Sequence, residues 1–464
     1  ARYKRNIGKS TFFLTGLDEH GQKVQEAAEK NNIFPQDHCD KMAPRFISLW
    51  KKLRISNDDF IRTTQVRHAK VVQEILKIVM EKGDIYEDEY EGLYSVSEER
   101  FITEKESESG NFRDIKKLKE KNYFFKMSKY QNDLINHIEK NPMFIQPEHR
   151  KNEILGFLRK PLNDLCISRP KERLNWGIEL PFDKEYVTYV WFDALINYLT
   201  IGYNIKSRKP GKWWPASYHL IGKDILTTHA VYWPTILLSA GIELPYSIFA
   251  HGWWLKGDSK MSKSVGNIVD PMDLLDDYGV DPVRYYLMRE MVLGHDSNFT
   301  EESFIKRYNS DLANDFGNLF SRVTSLIKNN YDGIIPQSGT LEKLDLKIKK
   351  EGELLPNIVN NMIDNMRLNE AIETIMQYIR MINKYMEETA PWKLVKEDKK
   401  AAARVLYSSC EGLRVSAILL SPVMPHRTEI MLNILNSEDK NLSWGQLSAG
   451  KKLKEHQPLF PRIK

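Results

Sequence analysis

Apolar positions follow two different rhythms along the chain. Before Phe304, short apolar runs give way to helical periodicity. Thr11 to Leu17 reads as a strand ending at Gly16 and is followed by a helix over Glu19 to Lys30. Tyr186 to Trp191 runs into Ala194 to Leu199, and Tyr218 to Ile221 with Gly222 leads to a helix that Asp224 can begin. Apolar strands alternating with helices predict an α/β fold, a doubly wound parallel (Rossmann-like) sheet with ligands at the strands' carboxyl ends. Between the first two switches, the charged and aromatic stretch 83–174 reads as a domain inserted into that sheet, with a strand near Tyr90 to Tyr94 and a solvated face or loop over Glu104 to Lys126.

From Phe304 the spacing becomes three and four. Phe304, Tyr308, Leu312, Phe316, Leu319, Val323 and Leu326 fall on one helix face. Ile372, Ile375, Met376, Ile379 and Ile382 repeat the pattern before Pro391, and Val405 to Leu420 forms another apolar helix closed by Pro422 and Pro425. These stripes predict a C-terminal helix bundle. The expected divisions are 1–82 and 175–303 for the two halves of the sheet domain, 83–174 for the insertion and 304–464 for the bundle.

The chain has 464 residues, enough for about three domains. With 41% hydrophobic and 28% charged residues, neither wholesale disorder nor a fibrous repeat fits. A net charge of +5 permits a polyanionic partner without requiring one. Cys39, Cys166 and Cys410 are odd in number and far apart, which argues against a disulfide framework and for a reducing compartment. The apolar runs Val231 to Ala240 and Val415 to Met424 are too short to span a bilayer, so no membrane partner is expected. The chain opens on Ala1, followed by Arg2, Lys4 and Arg5, so its natural start is expected upstream, along with any targeting peptide. The cytoplasm is the expected location, with an organellar matrix as the alternative.

The sharpest chemical signal is Lys260-Met261-Ser262-Lys263-Ser264, before Val265, Gly266 and Asn267. Two lysines three apart among small hydroxyl residues can fold over a triphosphate, where an ordinary basic surface loop would be the bland alternative. This run resembles the nucleotide-binding signature of class I aminoacyl-tRNA synthetases. Phe12 to Gly21 (FFLTGLDEHG), Tyr189 to Tyr198 (YVWFDALINY), His219 to His229 (HLIGKDILTTH) and Thr389 to Trp392 (TAPW) are similar to the methionine branch of that family. The likeness covers essentially the whole chain.

The resemblance implies an enzyme that activates methionine with ATP, taken as its Mg2+ complex, and transfers it to tRNA(Met). It assigns Asp18 to the substrate ammonium, although Asp18 also suits a helix N-cap. Trp191, Ala194 and Tyr198 share a helix face, and an aromatic wall beside a small residue suits a flexible thioether. Such a stripe is more often core, and the resemblance makes it a methionine pocket, bordered by Ile225 and His229. Gly222 and Asp224 are implied for ATP, the latter for ribose hydroxyls. Lys260, Met261, Ser262, Lys263 and Ser264 are implied for the triphosphate, with Lys260 and Lys263 acting as pyrophosphate charge develops. Arg169 is implied to fold back toward the active site, against the alternative of a surface salt bridge. Asn314, Asn318 and Arg322 lie four apart, roughly 100° around from the apolar stripe of their helix. By resemblance Asn318 and Arg322, with Trp392, read the CAU anticodon, while helix solubility and core packing are the bland alternatives. The acceptor stem is the second expected tRNA contact.

The sequence also departs from the family. It contains no His-Ile-Gly-His run, so it is expected to lack the first strand and signature and to have little adenylation activity alone. Tyr94-Ser95-Val96-Ser97-Glu98 stands where a zinc-binding Cys-x-x-Cys pair would sit, so no metal is expected. A monomer is the default. Two other functions remain open: a ligase for another aliphatic amino acid, and a non-catalytic tRNA-binding protein.

Overall fold

Strand β1 (Leu14–Leu17) pairs in parallel with β2 (Asp59–Arg62), Gly16 lying opposite Ile61. A side chain at Gly16 would place its Cβ 2.1 Å from the Ile61 carbonyl oxygen, so this approach requires glycine. The computed structural model describes all residues except 96–99, 103–106, 108–114, 258, 262–268, 438 and 464. The chain divides into two compact units, one of Phe12–Lys51 and Ser56–His251, the other of Ala1–Thr11, Lys52–Ile55 and Gly252–Lys464.

In the first unit, the strand starts later than its apolar run, at Leu14, and the following helix starts only at Gln22. Gly21, with φ 109°, caps that helix. Asp18 is therefore no N-cap, and Asp18 to Gly21 form an irregular turn beyond the end of β1. The long antiparallel strands β3 (Ile85–Ser95) and β5 (Ile115–Phe125) lie between the short β4 (Arg100–Ile102) and β7 (Leu165–Cys166). The expected loop or solvated face over Glu104 to Lys126 thus contains a strand. Its charges lie toward water, with Lys121 2.7 Å from Glu87, while Phe125 at its end is fully buried.

A second parallel sheet joins β10 (His219–Gly222) to β11 (Ile248–His251) and β11 to β6 (Ile145–Gln146). Residues 145–146, inside the stretch read as an insertion, therefore contribute to a parallel sheet. The switch at Tyr186 is different. β9 (Tyr186–Thr188) pairs antiparallel with β8 (Ser168–Pro170) and stops before Tyr189, the N-cap of helix Val190–Leu195. The expected strand over Tyr186 to Trp191 is too long, and Trp191 is helical. A core that includes Val72, Ile75, Phe125, Phe144, Phe192, Leu195 and Trp233 backs these sheets and helices.

The second unit is mainly helical. A continuous helical run from Glu301 to Asn330 contains a π-helical stretch, Tyr308–Asn318. The wider turn rephases the apolar stripe, so Ile327 is buried and Leu326 only half-buried, which corrects the last member of the predicted stripe. Leu368–Thr389 buries Ile372, Ile375, Met376, Ile379 and Ile382 as their spacing predicts, and Ala390, with φ 43°, ends it before Pro391. Lys399–Leu420 is buried at every position from Val405 to Leu420, because other helices of the unit, including Lys343–Asp364, Leu368–Thr389 and Pro425–Ile434, pack around it. No described helix is long and apolar enough to cross a membrane.

Candidate active site

Helix Val190–Leu195 and the short helix Asn197–Thr200 carry Trp191, Ala194 and Tyr198, and Tyr198 packs on His219, the first residue of β10. Trp191 and Tyr198 are half-buried against the core, and Ala194 is buried. Beyond β10, a 3₁₀ turn (Lys223–Ile225) and a π turn (Thr228–Tyr232) place Ile225 and His229. The Trp191 and His229 rings meet edge to face with centroids 6.4 Å apart, and the Tyr198 hydroxyl lies 2.8 Å from His229 Nε2. His229 Nδ1 is 3.0 Å from the Ile225 carbonyl. A carbonyl only accepts, so Nδ1 carries the proton and Nε2 accepts from Tyr198.

His219 extends this nest, its ring centroid 4.2 Å from that of Tyr198, and it accepts a hydrogen bond from Trp233 Nε1 at 3.2 Å. Burial pushes His219 down to about 3 and His229 down to about 4, so both imidazoles are neutral at physiological pH. Burial, helped by the Asp18 carboxylate, likewise keeps the Tyr198 phenol protonated. A neutral, polarizable wall with a few oriented polar atoms suits an apolar side chain containing sulfur.

Asp18 is exposed to solvent, yet the protein around it and the Asp193 carboxylate push it up to about 6, against the opposing pull of His68 and His20. Its neighbour Glu19 is buried, accepting from Arg62 Nε at 2.7 Å and Thr64 Oγ1 at 2.5 Å. The turn is held further by Trp176, whose indole donates to the Glu19 carbonyl at 2.7 Å. Asp193 lies 2.6 Å from His20 Nδ1 and 2.6 Å from His68 Nε2. His20 and Asp193 lie inside family-like segments without a role that the resemblance implies, and His68 stands outside every motif. A buried charged residue inside an apolar helix was the available signal for Asp193.

Asp224 is exposed in the 3₁₀ turn rather than at the start of a regular helix. A Cβ at Gly222 would stand 2.5 Å from Asp224 Oδ1, so glycine makes room for that carboxylate. Arg169 is 3% exposed, its guanidinium 4.5 Å from the Tyr189 ring centroid and donating to the Ser168 carbonyl at 2.7 Å. That burial removes the surface salt-bridge alternative. Lys260 closes the strand Ser259–Lys260 in the other unit, and Met261 follows it. Ser262, Lys263 and Ser264 lie outside the described residues.

In the helical unit, Asn314 and Asn318 are exposed on one helix. The Arg322 guanidinium stands 5.2 Å from the centre of the half-buried Trp392 ring and pairs with Glu387 at 2.6 Å. Arg322 and Trp392, distant in sequence, therefore share one surface.

Residues 1–110 and 107–324 match the family model described as tRNA synthetases class I (M), and residues 335–464 match that for the anticodon binding domain of methionyl tRNA ligase. With the parallel strands and the cluster beyond them, these matches define a class I tRNA synthetase. The methionine–tRNA ligase of Fusobacterium nucleatum is 46% identical over all of this chain and 75% of its own length. That of Bacillus subtilis is 43% identical over all of this chain and 74% of its own. A structure of Mycobacterium tuberculosis methionyl-tRNA synthetase with methionyl-adenylate superposes with a TM-score of 0.94 at 38% identity, covering 100% of this chain and 94% of that one. The chain belongs to the methionine–tRNA ligase family.

Proposed function

We propose that this protein activates methionine as its adenylate and transfers it to tRNA(Met), and that the residues above carry the chemistry. The single observation behind the amino-acid site is the neutral Tyr198–His229 pair, walled by Trp191 and electrostatically coupled through Tyr198 to Asp18. In this reading, ionised Asp18 holds the methionine ammonium while Trp191, Ala194, Tyr198, Ile225 and His229 surround the thioether. Asp224, with Gly222 beneath it, accepts from the ribose hydroxyls of ATP, which arrives as its Mg2+ complex. The methionine carboxylate attacks the α-phosphorus and pyrophosphate leaves, its charge met by Lys260 and Lys263 together with donors from Met261, Ser262 and Ser264. Arg169 supports the site from behind Tyr189. A ribose hydroxyl of the tRNA then takes the acyl group and AMP departs. Most of the rate enhancement is positioning and charge stabilisation.

The test is amino-acid-dependent ATP–pyrophosphate exchange by the protein expressed from its initiator codon. Methionine is expected to exceed leucine and isoleucine by at least tenfold in kcat/KM, since branching at Cβ or Cγ misfits a pocket shaped for a straight chain. Equal rates for leucine would overturn the pocket assignment. The 464 residues contain no His-Ile-Gly-His run, so the same assay on these residues alone is expected to give little exchange. Three buried free thiols fit a reducing compartment, and we place the protein in the cytoplasm.

On the tRNA side, Asn314, Asn318, Arg322 and Trp392 are proposed to meet the anticodon, amides and guanidinium at base edges and the indole by stacking. Trp392→Ala is expected to raise KM for tRNA by about 10- to 100-fold, the worth of one stacked base. Methionine-dependent exchange without tRNA should stay unchanged. A loss of exchange equal to the loss of charging would instead mark Trp392 as a packing residue.

A further inference from the structure

Asp193 is an expensive residue for its surroundings. It is 1% exposed, in the helix between Trp191 and Ala194, and a buried carboxylate is unfavourable unless it is paired and hydrogen-bonded. Both of its oxygens are engaged, Oδ2 by His20 Nδ1 and Oδ1 by His68 Nε2, each at 2.6 Å. Two histidines hold its carboxyl below the usual range despite the opposing effect of burial. Ionised, it has no proton to give, so both facing ring nitrogens donate to it. His68 is itself fully buried in helix Val66–Glu81, its Nδ1 3.0 Å from Thr200 Oγ1. One carboxylate thus ties together the turn after β1, the helix that follows β2 and the helix that carries the aromatic wall.

Stability alone is a poor reason for such an array, because well-packed apolar residues of similar volume often stabilise as much as a buried ionic cluster. Geometry is the better reason. Asp18 stands two residues before His20 in a turn without regular backbone pairing, and the His20–Asp193 bond joins that turn to the helix of Trp191 and Ala194.

We propose that Asp193 is a positioning residue for methionine binding: through His20 it sets where Asp18 stands relative to the thioether wall. The proposal rests on the reading of Asp18 as the ammonium ligand. Asp193→Asn replaces one acceptor oxygen by a donor amide, so one of the two histidine bonds is lost.

The decisive measurement is exchange kinetics with separate KM values for methionine and ATP, in the protein expressed from its initiator codon. Asp193→Asn is expected to raise KM for methionine about tenfold, somewhat less than the loss of a whole hydrogen bond to a charged group, while KM for ATP stays within about twofold. In an Asp18→Asn background, the same substitution should add less than about twofold, since the group it positions is gone. Where Asp193→Asn does not fold, His20→Asn cuts the same tie, leaves the His68 bond in place and should reproduce the methionine-selective effect. Equal rises in both KM values, or an undiminished effect beside Asp18→Asn, overturn the positioning role. If Asp18→Asn itself leaves KM for methionine unchanged, the ammonium assignment fails and this proposal fails with it.

Discussion

Asp18→Asn is expected to raise KM for methionine about a hundredfold, the cost of removing one partner of a charge-assisted bond to an ammonium group. It should also leave the fold slightly more stable at pH 7.5. The two effects share one cause. Asp18 is pushed up to about 6 by the protein around it and by Asp193, against an ordinary value of 3.8. A carboxyl raised in the folded state binds its proton more tightly there than in the unfolded chain, so its favourable contribution is complete below about pH 4. That contribution is lost as pH rises through about 6. At pH 7.5 the ionised carboxylate is therefore a liability to the empty fold, kept for its ligand. Because Asp18 is exposed, solvent screens much of this and the gain in thermal midpoint should be small, vanishing below about pH 4.

The same shift gives the wild-type protein a pH signature. Its kcat/KM for methionine should fall as pH drops through about 6, reaching about a tenth of the plateau one unit lower. An acid limb near 4 would show that Asp18 titrates as an ordinary carboxyl. Asp18→Asn should remove the limb along with the affinity.

Glu411→Ala should be the most destabilising single change in the helical unit. Glu411 and Arg414 are both fully buried in helix Lys399–Leu420 and paired at 2.7 Å. Glu411 also accepts from the backbone amides of Gly445, Gln446 and Leu447, and Arg414 donates to the carbonyls of Asn441 and Ser443. Removing the carboxylate leaves a buried guanidinium without its counter-charge and three amides without an acceptor, at a cost of about 3–5 kcal/mol. Urea unfolding followed by helical circular dichroism should show a lower midpoint, and limited proteolysis should cut earliest between Asn441 and Leu447. Glu411→Gln, which keeps the volume and one carbonyl, should lose less. Unchanged unfolding and an uncut 441–447 segment would mean that the segment holds without the pair.

Much of this was legible from spacing. The burial of Ile372, Ile375, Met376, Ile379 and Ile382 follows from helical repetition, and Trp191, Ala194 and Tyr198 emerged as a group because three and four residues bring side chains round to one face. Local rules failed where a longer-range partner decided the outcome. Lysine-rich Ile115–Phe125 reads as a solvated face or loop, and its charges do face water, but the strand itself is hidden because those charges are balanced across the sheet by Glu87 and Glu89, which no window along one strand contains. The strand at Tyr186 looked like a parallel-sheet switch because pairing direction leaves no mark in periodicity.

Read alone, the amino-acid order determined the class of fold, the helix bundle and the family, because hydrophobic period and contiguous motifs are properties of neighbours along the chain. Tertiary structure alone decided that His68 meets Asp193, that Arg169 is buried behind Tyr189 and that Arg322 stands over Trp392. Those contacts join residues far apart in sequence, and only folding brings their charges and rings within bonding distance.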